Sequence, residues 1–224
     1  MSTAVLHVRE HHSVLAGLEK RTLVWLAQRM PARINSDHLT LLGLASMIAA
    51  GAAFAAVRLT PWSAAAVIIA LAMNWFGDSL DGTLARVRNR QRPRYGFYVD
   101  HVIDLAGTTC LLAGMAASGR MSPLVAAAVL VGYLLVSAES YLATHATGVF
   151  RISFLGFGPT ELRILLSVGA IWMVTTPWIT IGDMPPIRPF DLGGAIAAAS
   201  LAAVFVASSF RNVRALYVAE RLPQ

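Results

Sequence analysis

Long apolar stretches separated by short polar segments dominate the chain. About 20 apolar residues cross the hydrocarbon core of a bilayer as one helix. Six stretches meet that length and predict membrane spans, at residues 38–58, 62–85, 95–117, 122–146, 160–180 and 190–210. Residues 13–30 are too charged to span but gather apolar side chains near one helical face. That pattern favours an amphipathic helix in the membrane interface, and the alternative is a short soluble helix packed on the bundle.

The composition indicates one membrane domain over residues 1–224. Apolar residues make up 56% of the chain and charged residues 13%, with a mean hydropathy of +0.61. These values are typical of an all-α integral membrane protein rather than a soluble one. The single cysteine, Cys110, excludes an intrachain disulfide.

The lysines and arginines predict the orientation. If the N-terminus lies in the cytoplasm, 15 of the 18 basic residues fall on that side, and only Arg58, Arg120 and Arg188 lie outside. Because basic loops stay on the cytoplasmic side, both termini should be cytoplasmic, and we expect the cell's inner membrane. This membrane-surface role accounts for the formal charge of +6. No motif supports a nucleic-acid partner.

Four aspartates are concentrated within 27 positions of a chain that has only 12 acidic residues. Asp78 and Asp81 fall near the cytoplasmic end of the second span, and Asp100 and Asp104 in the first turns of the third. Their spacings place each pair on one helical face. Such carboxylates repel one another unless they are protonated or share a bound cation. Because carboxylate oxygens suit Mg²⁺, Mn²⁺ or Ca²⁺, the pattern predicts a divalent metal site.

Other ionisable residues should lie at the same cytoplasmic level. Glu139 falls late in the fourth span, and Arg151, Glu161 and Arg163 surround the start of the fifth. Intramembrane charge is costly and usually marks a polar cavity, so these four residues are candidates for binding a second substrate. For Glu139 the alternative is a pairing with His145 or an arginine that closes the bundle.

The segment that holds the aspartates resembles the signature of the CDP-alcohol phosphotransferase family. All eight fixed residues of that signature occur in the expected pair of membrane helices. In this chain the signature is Asp78-x2-Asp81-Gly82-x2-Ala85-Arg86-x9-Gly96-x3-Asp100-x3-Asp104.

This resemblance implies an integral membrane enzyme, usually a homodimer, that transfers a substituted phosphoryl group from a CDP-linked donor to an alcohol and releases CMP. The favoured pair is CDP-diacylglycerol with a small polar acceptor. The alternative is an amino-alcohol phosphotransferase that uses CDP-choline or CDP-ethanolamine and a lipid alcohol. Acceptors that carry phosphate need extra cationic groups, for which Arg151 and Arg163 are the candidates.

The resemblance also implies roles for individual residues. Divalent metal, with Mg²⁺ favoured over Mn²⁺ and two ions expected, would be bound by Asp78, Asp81, Asp100 and Asp104. Asp104 would also act as general base. Contacts to the CDP moiety would come from Asp78, Gly82, Ala85, Arg86 and Gly96.

A cation transporter with an acidic permeation site is the rival from another functional class. It predicts acidic residues distributed through the depth of the membrane. The predicted topology instead places the aspartates at one level, which favours the enzyme.

Overall fold

Seven helices are present in the computed structural model over the residues that it describes, 16–147, 158–176, 178–180, 182–183 and 185–220. They are α1 (Ala16–Arg29), α2 (Ser36–Ala55), α3 (Trp62–Val87), α4 (Pro93–Ala117), α5 (Pro123–Thr147), α6 (Pro159–Thr175) and α7 (Pro189–Ala219). A 3-10 turn, Ala56–Arg58, follows α2. One antiparallel bridge joins Ile179 to Ile187 between α6 and α7. The predicted all-α membrane class is confirmed.

Within the described part of the chain, five helices are long and apolar enough to cross a membrane: α2 with its 3-10 turn, α3, α4, α5 and α7. The fifth predicted span, 160–180, corresponds to α6, which ends at Thr175 after 17 residues. At 1.5 Å per residue this helix is only about 26 Å long. Pro177 follows in the sequence and disfavours helical backbone at the residue before it. The count of six spans therefore stays a prediction, and the last helix runs to Ala219 rather than to residue 210.

Paired glycines bring α2 into direct contact with both α3 and α4. A methyl group added at Gly114 of α4 would lie 1.9 Å from the carbonyl oxygen of Gly51 on α2. One added at Gly77 of α3 would lie 2.7 Å from the backbone nitrogen of Gly43 on α2. Small residues permit such close approach between helices in a membrane. The two helices that carry the aspartates are thus packed backbone to backbone against a common neighbour.

The main apolar core lies away from the aspartates. Phe54, Leu71, Leu111 and Met115, from α2, α3 and α4, are buried in one cluster to which α5 and α6 also contribute. Phe190, at the start of α7, packs against this cluster with its ring edge toward Phe54, at 6.0 Å between ring centroids. Burial of these side chains fixes α2, α3 and α4 relative to one another.

The amphipathic helix α1 packs on the bundle with one face. Leu23 and Ala27 are buried in a second cluster with residues of α2 and α3. Trp25, on another face, is 53% exposed. A helix that packs on the bundle and also lies in the membrane interface agrees with this arrangement, although its depth in a membrane stays a prediction. Residues 13–15 of the predicted helix lie outside the described residues.

Polar contacts tie α1 and its connection to the rest of the bundle. A carboxylate oxygen of Glu19 accepts hydrogen bonds from Trp75 Nε1 at 2.7 Å and from Thr160 Oγ1 at 2.9 Å. Arg88, just after α3, donates to the carbonyl of Met30 at 2.7 Å. The starts of α2 and α6 are consequently held beside the end of α3, where the aspartates lie.

Candidate active site

Three of the four aspartates come together between α3 and α4. Asp78, Asp100 and Asp104 each place one carboxylate oxygen within 4.8 Å of the others. Asp78 and Asp100 are half-buried, whereas Asp104 is exposed. The predicted meeting of the two helix ends is therefore present for these three residues. An all-oxygen donor set of this spacing fits a hard divalent cation.

Asp81, the fourth aspartate, lies outside that group of three carboxylates. Its Oδ2 is 2.6 Å from Thr40 Oγ1 on α2, and its Oδ1 accepts a hydrogen bond from the backbone N–H of Gly82. It still interacts electrostatically with Asp78 and Asp100. Because three residues along a helix turn the side chain by about 60° from that of Asp78, Asp81 points more toward α2.

Arg163 brings a positive charge to the group of carboxylates. It lies in the first turns of α6, and its Nη2 donates to Oδ2 of Asp78. Its side chain is only 14% exposed. The other terminal nitrogen, Nη1, is buried and has no hydrogen-bond partner among the described residues. One of the four predicted acceptor-binding residues is thus in contact with a predicted metal ligand.

The other three acceptor-binding candidates are placed differently. Glu161 Oε2 accepts the backbone N–H of Gly158 at 3.1 Å, so it caps the start of α6. Glu139 bonds to α7 instead, with its two oxygens 2.9 Å from Ser208 Oγ and 2.7 Å from Asn212 Nδ2. Its carboxylate therefore links α5 to α7, which resembles the bundle-closing alternative but uses neutral partners. Arg151 lies outside the described residues.

The glycines of the signature leave open space beside the carboxylates. Among the described residues, a methyl group added at Gly96 would have no neighbour within 4 Å, and one added at Gly82 would meet only the side chain of Arg86, at 3.5 Å. Ala85 is half-buried and Arg86 exposed. The Arg86 Nη2 donates to Thr83 Oγ1 at 2.9 Å. Close helix packing requires a glycine at position 114, whereas no contact among the described residues requires one at positions 82 and 96.

A polar stripe on α5 faces the same space and was missed in the sequence analysis. Tyr133 and Tyr141 both interact electrostatically with Asp104, and Ser137 lies between them at the same spacing along the helix. The ring of Tyr141 also packs edge-on against His101, at 5.1 Å between centroids. The spacing of four residues between hydroxyl-bearing side chains on an apolar helix was the signal that could have found this stripe.

Comparison with known proteins agrees with this geometry. Residues 34–208 match the family model described as CDP-alcohol phosphatidyltransferase. The chain belongs to that family. The resemblance drawn from the signature is thereby confirmed, and membership makes the protein a membrane-embedded transferase of phospholipid biosynthesis. No curated protein matches the chain significantly.

A solved structure shares the fold of this family member. It is the crystal structure of Mycobacterium tuberculosis phosphatidylinositol phosphate synthase with CDP-DAG bound. The two chains are 17% identical, and the alignment covers 93% of this chain and 100% of the other with a TM-score of 0.57. At this level of identity the likeness shows a common fold.

Proposed function

We propose that the protein transfers a phosphatidyl group from CDP-diacylglycerol to the hydroxyl of a small polar acceptor and releases CMP. The carboxylate group of Asp78, Asp100 and Asp104 carries this proposal, because it lies inside the segment that matches the family. The structural relative with CDP-DAG bound supports the choice of donor. A homodimer with its site at the cytoplasmic side of the inner membrane completes the proposal.

The residues present fit a divalent cation. The three clustered carboxylates offer only oxygen donors, and Asp81 stands one turn further along as the fourth predicted ligand. Mg²⁺ is the favoured ion, Mn²⁺ the alternative, and two ions the expected number. Bound there, the metal would neutralise charge on the diphosphate and stabilise CMP as the leaving group.

Asp104 is the proposed general base. It is the exposed member of the group and can therefore be reached by an acceptor. As the acceptor oxygen forms its bond to the phosphatidyl phosphorus, the O–H proton passes to the Asp104 carboxylate. The bond from that phosphorus to the bridging oxygen breaks, and CMP leaves with the electron pair. A positioned carboxylate in this role contributes roughly 10²- to 10⁴-fold to the rate.

The nucleotide side of the site is assigned to four further signature residues, Gly82, Ala85, Arg86 and Gly96. Gly82 and Gly96 leave room for a ligand to approach the helix backbones, and Ala85 adds little bulk between them. Arg86 is exposed and close to Gly82, and its guanidinium is the proposed contact for a phosphate oxygen. Asp78 is predicted to contact both the metal and the nucleotide.

Arg163 is the acceptor-side residue that the geometry supports best. A buried guanidinium nitrogen with no partner among the described residues favours an anionic ligand, since guanidinium groups bind phosphate strongly. Glu161 and Glu139 are engaged in helix capping and in the α5–α7 contact, which favours Arg163 over them. Arg151 remains a candidate on sequence grounds.

Product analysis tests the proposed reaction. Purified protein in nanodiscs would be incubated with CDP-diacylglycerol, Mg²⁺ or Mn²⁺ and a panel of free and phosphorylated alcohols. We expect CMP to be released in step with one new phospholipid, identified by its mass. Release that requires a phosphorylated alcohol would support the assignment of Arg163.

Two other outcomes would contradict the proposal. Consumption of CDP-choline or CDP-ethanolamine with diacylglycerol, but not of CDP-diacylglycerol, would favour the amino-alcohol reaction. Cation flux across liposomes without any CMP release would favour a transporter. The Asp104→Asn variant serves as the inactive control, since it keeps the size of the side chain.

A further inference from the structure

Asn74 connects Arg163 to the backbone of α2. On α3, one turn before Asp78, its Oδ1 accepts a hydrogen bond from Arg163 Nε at 2.7 Å. Its Nδ2 donates to the carbonyl of Gly43 on α2 at 2.9 Å. The residue is only 6% exposed. Both polar atoms of this buried amide are thus hydrogen-bonded, and the two bonds connect α3 to α2 and to α6.

The same guanidinium then reaches the predicted metal ligand. Arg163 Nε bonds to Asn74, while Nη2 bonds to Asp78 Oδ2. A carboxylate that is held through one oxygen presents the other in a defined direction. Hydrogen-bonded partners of this kind orient metal ligands, and their loss commonly weakens metal binding about 10- to 100-fold.

Helix packing alone would not require this arrangement. Gly77 and Gly43 already bring α2 and α3 into contact, one turn from Asn74. An amide placed in a membrane bundle costs free energy unless its hydrogen bonds are made. Here the acceptor oxygen is used by an arginine whose remaining nitrogen, Nη1, has no partner in the described part of the chain. The amide therefore fixes a cation beside the site as well as joining two helices.

We propose that Asn74 is a positioning residue of the active site, which acts through Arg163 to orient Asp78 for the divalent cation. This inference rests on the metal centre of the proposed function, and it adds a residue outside the family signature. Asn74 itself does not touch the cation or the substrate. Replacing Asn74 should therefore have little effect on metal binding when Arg163 is absent.

A double-mutant cycle measures that dependence. Mn²⁺ binding to purified protein in detergent would be titrated by electron paramagnetic resonance for the wild type, Asn74→Ala, Arg163→Gln and the double variant. We expect Asn74→Ala to weaken Mn²⁺ binding about tenfold when Arg163 is present. In the Arg163→Gln background the same change should alter the affinity less than twofold. Non-additivity of this kind identifies residues that act as one unit.

A second variant separates the two hydrogen bonds of Asn74. Asn74→Asp keeps an acceptor for Arg163 Nε but loses the donor to Gly43, so Mn²⁺ affinity should be at least that of the wild type. If Asn74→Ala does not yield folded protein, the Mn²⁺ affinity of Asn74→Asp alone tests the inference. Tenfold weaker Mn²⁺ binding by folded Asn74→Asp would overturn the inference, because contact with α2 would then be what matters.

Asn212→Ala is the matched control. This asparagine, on α7, also makes a hydrogen bond inside the bundle. Its partner, at 2.7 Å, is Glu139 on α5. We expect its loss to leave Mn²⁺ affinity unchanged. Equal weakening by Asn212→Ala, equal effects of Asn74→Ala in both backgrounds, or no effect of Asn74→Ala would each contradict the positioning role.

CMP release by the wild type tests the proposed function separately. Protein that binds Mn²⁺ in the Asn74-dependent manner but releases no CMP from CDP-diacylglycerol would contradict the proposed function alone. Protein that releases CMP but shows no dependence of Mn²⁺ affinity on Asn74 would contradict only this inference. Wild-type protein that binds no Mn²⁺ would contradict both.

Discussion

Thr40 Oγ1 lies 2.6 Å from Oδ2 of Asp81, across the contact between α2 and α3. The hydroxyl also lies 2.9 Å from the carbonyl of Ser36, one turn earlier in α2. A carboxylate of the family signature is thereby bonded to a helix that the signature does not include. Thr40 thus connects α2 to one of the signature's polar side chains.

Replacing Thr40 with valine should destabilise the fold. The change keeps the shape of the side chain but leaves a half-buried carboxylate oxygen without its donor, which costs about 1–3 kcal/mol. The free energy of unfolding in mixed micelles measures the loss. Thr40→Ser keeps the hydroxyl and should retain most of the stability. Equal losses in the two variants would mean that the methyl group, rather than the hydrogen bond, matters at this position.

Replacing Asp104 with asparagine should abolish transfer without unfolding the protein. We expect turnover to fall at least about 100-fold, because the amide cannot accept the acceptor's proton. Binding of CDP-diacylglycerol, measured by thermal shift in the presence of Mg²⁺, should persist. Turnover near that of the wild type would remove Asp104 from the role of base.

Replacing Asp100 with asparagine should weaken metal-dependent nucleotide binding. One of the three clustered carboxylates loses its charge and much of its strength as a ligand for a hard cation. Isothermal titration with Mn²⁺, with and without CMP, measures the change. Asp183→Asn removes the same charge from an exposed turn between α6 and α7 and should have no effect. Similar affinities for the two variants would argue against a metal site at Asp100.

Alanine at two different glycines should separate ligand space from packing. In Gly96→Ala the new methyl group has no atom of the described residues within 4 Å, so the fold should be kept or gain about 0.5–1 kcal/mol from the better helix former. The KM for CDP-diacylglycerol should nevertheless rise, since the methyl group enters the proposed nucleotide space. An unchanged KM would remove Gly96 from the CDP contacts.

Gly114→Ala is expected to have the opposite profile. Its methyl group would lie 1.9 Å from the Gly51 carbonyl, so α2 and α4 would have to move apart. Lower yield of folded protein and a reduced melting temperature, measured by size-exclusion chromatography and circular dichroism, should result. A melting temperature equal to that of the wild type would show that these helices do not need the close contact.

The positions of the helices were predictable because hydrophobic length alone decides them in a membrane. The meeting of Asp78 with Asp100 and Asp104 followed from topology, since both helix ends lie at one level. The distances between side chains were beyond sequence reasoning. Rotation by one residue changes direction by 100°, so the Thr40 partner of Asp81 depends on how α2 is set against α3.

The partners of the other polar residues could not be predicted for the same reason. Glu139 was placed correctly near the end of its helix, but its bonding to Ser208 and Asn212 depends on the contact between α5 and α7. Asn74 gave no signal, because a single amide in an apolar stretch has no periodic pattern. The length of α6 was overestimated because apolar residues continue beyond Thr175.

The glycine contacts separate the side chains of the site into two groups: those on α3 and α4, which pack closely against α2, and those on α5 and α6. All four aspartates belong to α3 and α4, which both touch α2 directly, whereas Arg163 and the tyrosines lie on α6 and α5. The close glycine contacts among α2, α3 and α4 involve no side chain of α5 or α6 among the described residues. Under the proposed function, evolution can adapt the α5 face to new alcohols, whereas Arg163 has to be kept with the carboxylates because it bonds to Asp78.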